Sequence, residues 1–274
     1  MMMWQQQLID DARLAALEDV RVIELRVHGS AADPDSGQLD EWSDVDLAVL
    51  LDPAADETST AAWPAPFGEP WALTRHKSGD LSVQRVVYDD GRRLDLVSTL
   101  APGALPAGRV LYRRSATTQL LAASRRPADS DARLPSTRAV GDELMEVRLT
   151  AALAVVKLAR ADLLIGFHLG LEVVRSCLVL AMELRDHDSG TTSHRFGGPR
   201  NEVVAQLDAL RQHPWTSAGG TALVLEATRI YDELAVQLDP HYRSDWTGLE
   251  ALAKQSGVTG RWTSTAARAS RPQV

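Results

Sequence analysis

The chain has 274 residues, enough for two ordinary domains or one large one, and its 45% hydrophobic and 24% charged content is that of a soluble globular protein. A formal net charge of −8 speaks against non-specific nucleic-acid binding, which needs basic surface, while an acidic cleft is able to attract a cationic small molecule. The one cysteine, Cys177, excludes an intrachain disulfide and suits a reducing compartment. The opening MMMWQQQLIDDARL lacks the basic region and apolar core of a secretory signal. The most apolar stretch, Leu163 to Leu184, is interrupted by His168, Glu172, Arg175 and Glu183, which a membrane span does not normally carry. A cytoplasmic protein is the expectation.

Residues 4–18 suit an amphipathic helix, with Leu8, Leu14 and Leu17 near helical spacing. Val20 to Val27 reads as a first strand that ends in a Gly29-Ser30 turn. Residues 31–43 read as a loop. The apolar run Leu47 to Leu51 completes a second strand of the kind buried on both faces. Residues 52–70 are rich in Pro, Ala and acidic groups and read as a loop with one helical turn; Trp71 to Leu73 is a short strand. Leu81 to Tyr88 alternates like a strand, Asp89-Asp90-Gly91 is a hairpin signal, and Arg92 to Leu100 returns. Everything to about residue 125 is therefore α/β or α+β.

A polar, Pro-containing linker follows at 126–136, and from Arg138 the pattern is helical. Leu144, Val147, Ala151, Ala154 and Leu158 recur at spacings of three and four, as do Leu164, Phe167, Leu171, Val174, Leu178 and Ala181. Residues 186–199 read as a loop. Asn201 to Arg211 and Thr221 to Leu238 are further helices, the latter stopped by Asp239-Pro240. A short element is expected over Asp245 to Lys254, and a disordered tail beyond. The organisation predicted is an α+β domain over 1–128 with a mixed sheet and flanking helices, an all-α helical bundle over 129–258, and a tail at 259–274.

Three carboxylates carry the chemistry. Asp44 and Asp46 lie two apart at the start of a strand and so share a face, with Val45 and Leu47 pointing into packing on the other. Asp95 sits on a strand that the hairpin is able to lay beside them. Close carboxylates repel and need a cation to stay ionised together, and Mg²⁺ takes such oxygens while bridging to phosphates. The plainer reading is that aspartates at strand ends are turn residues. The upstream Gly-Ser and the downstream Asp95 favour the metal.

Gly29-Ser30, then Ser43-Asp44-Val45-Asp46-Leu47, then Asp95 in RRLDLV together resemble the signature of the polymerase-beta-like nucleotidyltransferase superfamily. The spacing from Gly37 to Ser43-Asp44 is also similar, while the loop between Ser30 and Gly37 is longer than the usual pattern. The resemblance implies that Gly29 and Ser30, with Ser43, serve the nucleotide triphosphate and that Asp44 and Asp46 ligate Mg²⁺. Asp95 becomes a third ligand or the base for the acceptor hydroxyl. An ordinary tight turn remains the alternative for Gly29. The two-part layout is most similar to antibiotic nucleotidyltransferases of the lincosamide and aminoglycoside types with a helical second domain. That implies an adenylyltransferase-like transfer of AMP from ATP to a hydroxyl-bearing small molecule held between the domains. Transfer to a protein or RNA acceptor, or a catalytically silent nucleotide-binding module, are the alternatives.

On the helical half, Glu146, Thr150, Leu153 and Lys157 form one stripe by helical geometry. Lys157 is either a clamp on the triphosphate or a solvated lysine. His168, Glu172 and Arg175, at spacings of four and three, either line a cleft that binds the acceptor or pair internally. Glu172 is then a candidate to hold an amine or assist as base, and Glu143 is a weaker one. Arg195 and Arg200 are either phosphate contacts or solvated loop residues, and Cys177 falls among core positions.

Overall fold

The computed structural model describes residues 3–36, 38–54, 63, 67–115, 140–190 and 200–257. It opens with helix α1 (Met3–Glu18), followed by strands β1 (Val22–His28), β2 (Val45–Leu51), β3 (Pro70–Ser78), β4 (Leu81–Tyr88), β5 (Arg93–Thr99) and β6 (Arg109–Arg113). The C-terminal part is helical: α2 (Val140–Ala159), α3 (Leu163–Asp188), α4 (Glu202–Asp208), α5 (Ser217–Leu238) and α6 (Thr247–Gln255). The expected domain boundary at 128/129, the tail at 259–274, Gly37 and Arg195 lie outside the described residues.

The strands form one mixed six-stranded sheet in the order β3-β4-β5-β2-β1-β6. Only β2 and β5 run parallel; every other neighbouring pair is antiparallel. β5 and β2 are the two middle strands. The VDLAVLL run of β2 is buried on both faces after Asp46, which is what a continuous apolar strand flanked on two sides requires.

Each face has its own cover. α1 lies on one, against β1, β2 and β6, and its Leu8, Ile9, Ala12 and Ala16 share a buried core with Val22, Leu25, Val27, Val45 and Leu47. This differs from the expected face: Leu14 and Leu17 are more than half exposed. Positions 8, 12 and 16 recur every four residues and define the buried stripe, and two alanines in it let the helix approach the sheet closely. α2 covers the other face, packing on β3 and β4 as well as on α3 and α5. Trp42, Trp71, Ala72 and Val87 of the sheet half accordingly share one hydrophobic core with the helices.

Several elements differ in extent from expectation. β3 runs nine residues rather than three, because its outer part, Arg75–Ser78, is exposed and polar and carries no apolar signal. β6 carries no expectation at all: five residues with arginines at both ends make an edge strand that pairs only with β1. α5 begins at Ser217, capped by the Thr216 hydroxyl, which accepts from the Gly219 amide. Gly219 and Gly220 look like breakers, yet they sit inside the helix for contact. A Cβ on Gly220 would lie 2.6 Å from Leu158 Cδ2. α3 continues through Asp188, into the segment expected to be loop. α3 is also long and apolar enough to cross a membrane by length and composition. Here its Gly166, Phe167, Gly170, Val173, Cys177 and Leu180 are buried, and it packs against α2 and α5 as a core helix does.

Trp71 joins the sheet to the helices. Its indole Nε1–H donates to the Asp245 carbonyl at 2.8 Å, and its ring meets Trp246 edge-on at 5.9 Å. Arg148 of α2 lies over the same ring and donates to the Trp71 carbonyl at 2.9 Å. Gly248 of α6 presses so close that a Cβ there would stand 2.5 Å from the indole. Trp71→Ala should therefore cost about 3–5 kcal/mol, the range for removing a buried large aromatic. Denaturant unfolding of the purified variant checks this, and a loss under 1 kcal/mol would mean that the contact is not a principal tie.

Candidate functional site

The site is built by strand register. In the parallel pair Asp46 of β2 stands opposite Asp95 of β5. Asp95 stands opposite Arg85 of β4, and Asp46 opposite His28 of β1. Cross-strand partners project from the same face. One row, Arg85–Asp95–Asp46–His28, thus crosses four strands. Asp44, just before β2, adds a third carboxylate on the face of Asp46. Ligand oxygens of Asp44, Asp46 and Asp95 all lie within 4.8 Å of one another, and all three residues are half-buried. The hairpin expected to bring Asp95 to the pair does so, turning through Gly91 at φ 84°.

Beyond Asp46 the chain leaves β1 through a single 3₁₀ turn, Gly29–Ala31. Gly29 has φ 60°, and a Cβ there would stand 2.1 Å from Asp46 Oδ2. Both the left-handed backbone and the space therefore demand glycine, and the backbone at Gly29 is pressed against the carboxylate. Ser30 follows in the same turn and is half-buried.

Electrostatics agree with the crowding. Burial, with the Asp44 carboxylate adding to it, pushes Asp46 up to about 6 against the pull of Arg85. The same causes, burial first, push Asp95 up to about 7, although the Arg85 guanidinium lies 3.4 Å away. Asp46 and Asp95, which resist ionising beside Asp44, form with it a donor set of hard oxygens that fits a divalent cation.

Ser43 is placed differently from its expected role. It is buried, and its hydroxyl donates to Asp40 Oδ1 at 2.9 Å while accepting from the Asp40 amide and from Arg160 Nη2. Gln5 of α1 donates to the carbonyls of Asp40 and Ser43 at 2.8 and 3.0 Å. This turn delivers Asp44 into the site, and Ser43 is engaged in holding it.

The predicted helical residues separate into groups. Glu146, Glu172 and Arg175 come together with Glu143, Thr150 and Ser176 around a cavity of about 270 Å³ between α2 and α3. Glu172 and Arg175 also pair at 3.5 Å, so the cleft and the internal pair coexist. His168 is exposed on α3, away from that lining. Lys157 is half-buried one turn beyond Leu153, and its ammonium makes no hydrogen bond or ion pair among the described residues. Arg200 binds Asp188 and Gln237, each at 2.7 Å, fastening a chain turn. Cys177 is core; burial pushes its thiol up to about 12.

A second cavity, of about 180 Å³, lies against the triad. Asp44, Asp95, Arg85, Val86, Val87 and Arg93 line it from the sheet side, and Leu149 and Leu153 of α2 form its roof. Arg85, Arg93 and His28 were not among the sequence candidates. The signal was present for two of them: Arg93 stands two residues before Asp95, and Arg85 alternates with Val87. For His28, buried Nε2 finds no hydrogen-bond partner among the described residues.

No protein-family model matches the chain, and no curated protein matches it in sequence. Among solved structures it is similar to the crystal structure of an aminoglycoside 6-adenyltransferase from Bacillus subtilis. The identity is 15%, the TM-score 0.27, and the match covers 94% of this chain and 98% of that one. A TM-score that low carries no argument about fold or function. The site carries it instead.

The raised proton affinities of Asp46 and Asp95 have a measurable sign. Each is easier to protonate in the metal-free fold than in the unfolded chain, where a carboxyl titrates near 4. Their stabilising contribution is therefore whole below about pH 4 and is lost as pH rises through about 6 to 7. Asp46→Asn should raise the Tm of chelator-treated protein at pH 8 by ~2–4 °C, on the order of 1 kcal/mol after solvent screening. At pH 4 the two melts should coincide. Equal melting at pH 8 would show that the carboxylates do not oppose one another.

Proposed function

We propose that the protein is a divalent-metal-dependent nucleotidyltransferase, moving a nucleoside monophosphate, AMP from ATP, to a hydroxyl of a small molecule. The observation that carries this reading is the row of register that sets Asp46 against Asp95 beside Asp44, with Gly29 backed onto Asp46. Asp44, Asp46 and Asp95 would hold Mg²⁺. Bound there, the cation supplies positive charge to the phosphate oxygens of the nucleotide and to the pyrophosphate that leaves.

The chain's own residues do the rest. Gly29 and Ser30 offer backbone N–H groups and a hydroxyl at a tight turn, a geometry suited to phosphate oxygens. The acceptor oxygen forms a bond to the α-phosphorus, the bond from that phosphorus to the bridging oxygen of the β-phosphate breaks, and pyrophosphate departs. The hydroxyl proton passes to a carboxylate oxygen of Asp95, which lines the cavity beside Arg85 on the side from which the acceptor comes. Leu149 and Leu153 line the pocket from the α2 side and give the reacting groups an apolar wall.

The helical half, from about residue 129, is the acceptor-binding part in this reading, with Lys157 on α2 one turn beyond Leu153. A lone, buried Cys177 is in keeping with work in the reducing cytoplasm. A lincosamide or aminoglycoside antibiotic as acceptor rests on the two-part layout alone.

Asp46→Asn should abolish pyrophosphate release from Mg-ATP, by at least 1,000-fold on the order of what charge-stabilising groups contribute, while circular dichroism stays that of the parent. A pyrophosphate-release screen over hydroxyl-bearing small molecules is the assay. Turnover of the variant near the parent rate would overturn the mechanism.

A further inference from the structure

We infer that the acceptor bears an anionic group, a carboxylate or phosphate, and that Arg93, assisted by Arg85, receives it in the cavity beside the acidic triad. This rests on the nucleotidyl-transfer reading above, adds the chemical class of the second substrate, and replaces the cationic lincosamide or aminoglycoside acceptor that the two-part layout suggests.

Arg93 is the decisive residue. It is only 4% exposed, lines the cavity together with Asp44 and Asp95, and holds a guanidinium whose Nη2 has no hydrogen-bond partner among the described residues. Its other terminal nitrogen, Nη1, donates to the Gly91 carbonyl at 2.8 Å, and the group lies 5.7 Å from the Trp4 ring centroid. The arginine is thus held at two points, with the N–H groups of the buried Nη2 left over. A buried N–H without an acceptor is costly, and an arginine fork is matched to an oxyanion. Arg85 enters the same cavity from β4, more than half exposed, its guanidinium 3.4 Å from Asp95. A cation sharing the Asp95 charge would leave the exposed Arg85 guanidinium able to take a second acceptor.

Position decides which substrate supplies the anion. Along the row Arg85–Asp95–Asp46–His28, the Gly29 turn lies past the β1 end and the arginines lie at the β5 and β4 end. Three strand spacings, about 14 Å, separate β4 from β1, with the carboxylates between them. In-line displacement puts attacking and leaving oxygens on opposite sides of phosphorus. With the leaving phosphates at Gly29–Ser30, the attacking hydroxyl comes from the side of Arg85 and Arg93. The acidic cavity lined by Glu143, Glu146 and Glu172 is a separate space between α2 and α3, lined by none of the triad carboxylates.

Glycerol 3-phosphate and glycolate, each a hydroxyl with an anion, serve as probes, with ethanolamine as the cationic counterpart. Calorimetric titrations use the full chain loaded with Mg²⁺ and a non-hydrolysable ATP analogue. The two anions should bind in the millimolar range and ethanolamine should not. Arg93→Met should weaken anion binding at least tenfold and Arg93→Lys less; Arg85→Met, at an exposed position that tolerates change, should weaken it severalfold. Preferential binding of ethanolamine, or anion binding unchanged in both Arg93→Met and Arg85→Met, would overturn the inference, as would no binding of either anion. Failure of the analogue itself to bind removes the nucleotidyl-transfer reading instead. The same anion titrations on protein with Mg²⁺ alone then decide the subsite.

Discussion

Like charges held together by a sheet are the constraint on which the site depends. Parallel pairing of β2 with β5 fixes Asp46 opposite Asp95, and the two-residue period of a strand puts Asp44 beside them. None of the three is free to swing away, because Val45, Leu47, Leu94 and Leu96 anchor the same strands in the core under α1. The backbone pays for this arrangement with raised proton affinities at Asp46 and Asp95. A one-residue slip of β2 would turn Asp46 into the core under α1 and Leu47 toward the cavity, so the apolar core enforces the register that makes the acidic site.

The surrounding elements are placed by that site. Gly29 has no side chain because Asp46 occupies the space a Cβ would take. The Asp40–Ser43 turn that feeds Asp44 into the cleft is tied to α1 through Gln5 and to the end of α2 through Arg160, which donates to Asp40 Oδ2 at 2.9 Å. α2 thus lines the triad cavity with Leu149 and Leu153, and Arg160, the residue just past its end, grips the approach. Trp71, held by Arg148, Asp245 and Gly248, keeps the rest of the helical part docked on the sheet. Packing far from the carboxylates therefore sets the shape of the space above them.

Much of this was readable from residue pattern. The strand over Leu81–Tyr88 follows from alternation, the two long helices from spacings of three and four, and the three carboxylates from Asp-x-Asp with a third strand aspartate. What escaped had weak local signal. Edge strand β6 and the outer half of β3 are polar and exposed, and hydrogen bonding to a neighbour rather than burial makes them strands. The buried face of α1 rests on alanines, which hydrophobic spacing undervalues beside Leu14 and Leu17. At the site, Arg93 and Arg85 gain meaning only once the register sets them around Asp95, and Ser43 loses its apparent role because Asp40 and Arg160 occupy its hydroxyl. Pairing across strands is long-range information that short motifs do not hold.

Occupation of the triad by a divalent cation is the claim from which the chemistry follows, and Mn²⁺ tests it most directly. Its electron paramagnetic resonance signal, followed on titration into the full-length protein with a non-hydrolysable ATP analogue, separates free from bound ion. The triad predicts bound Mn²⁺ that Mg²⁺ displaces, with affinity rising between pH 5.5 and 8 as the carboxylates ionise and lost in both Asp46→Asn and Asp95→Asn. Absence of bound Mn²⁺ in the parent protein, or binding indifferent to those two substitutions, would contradict it.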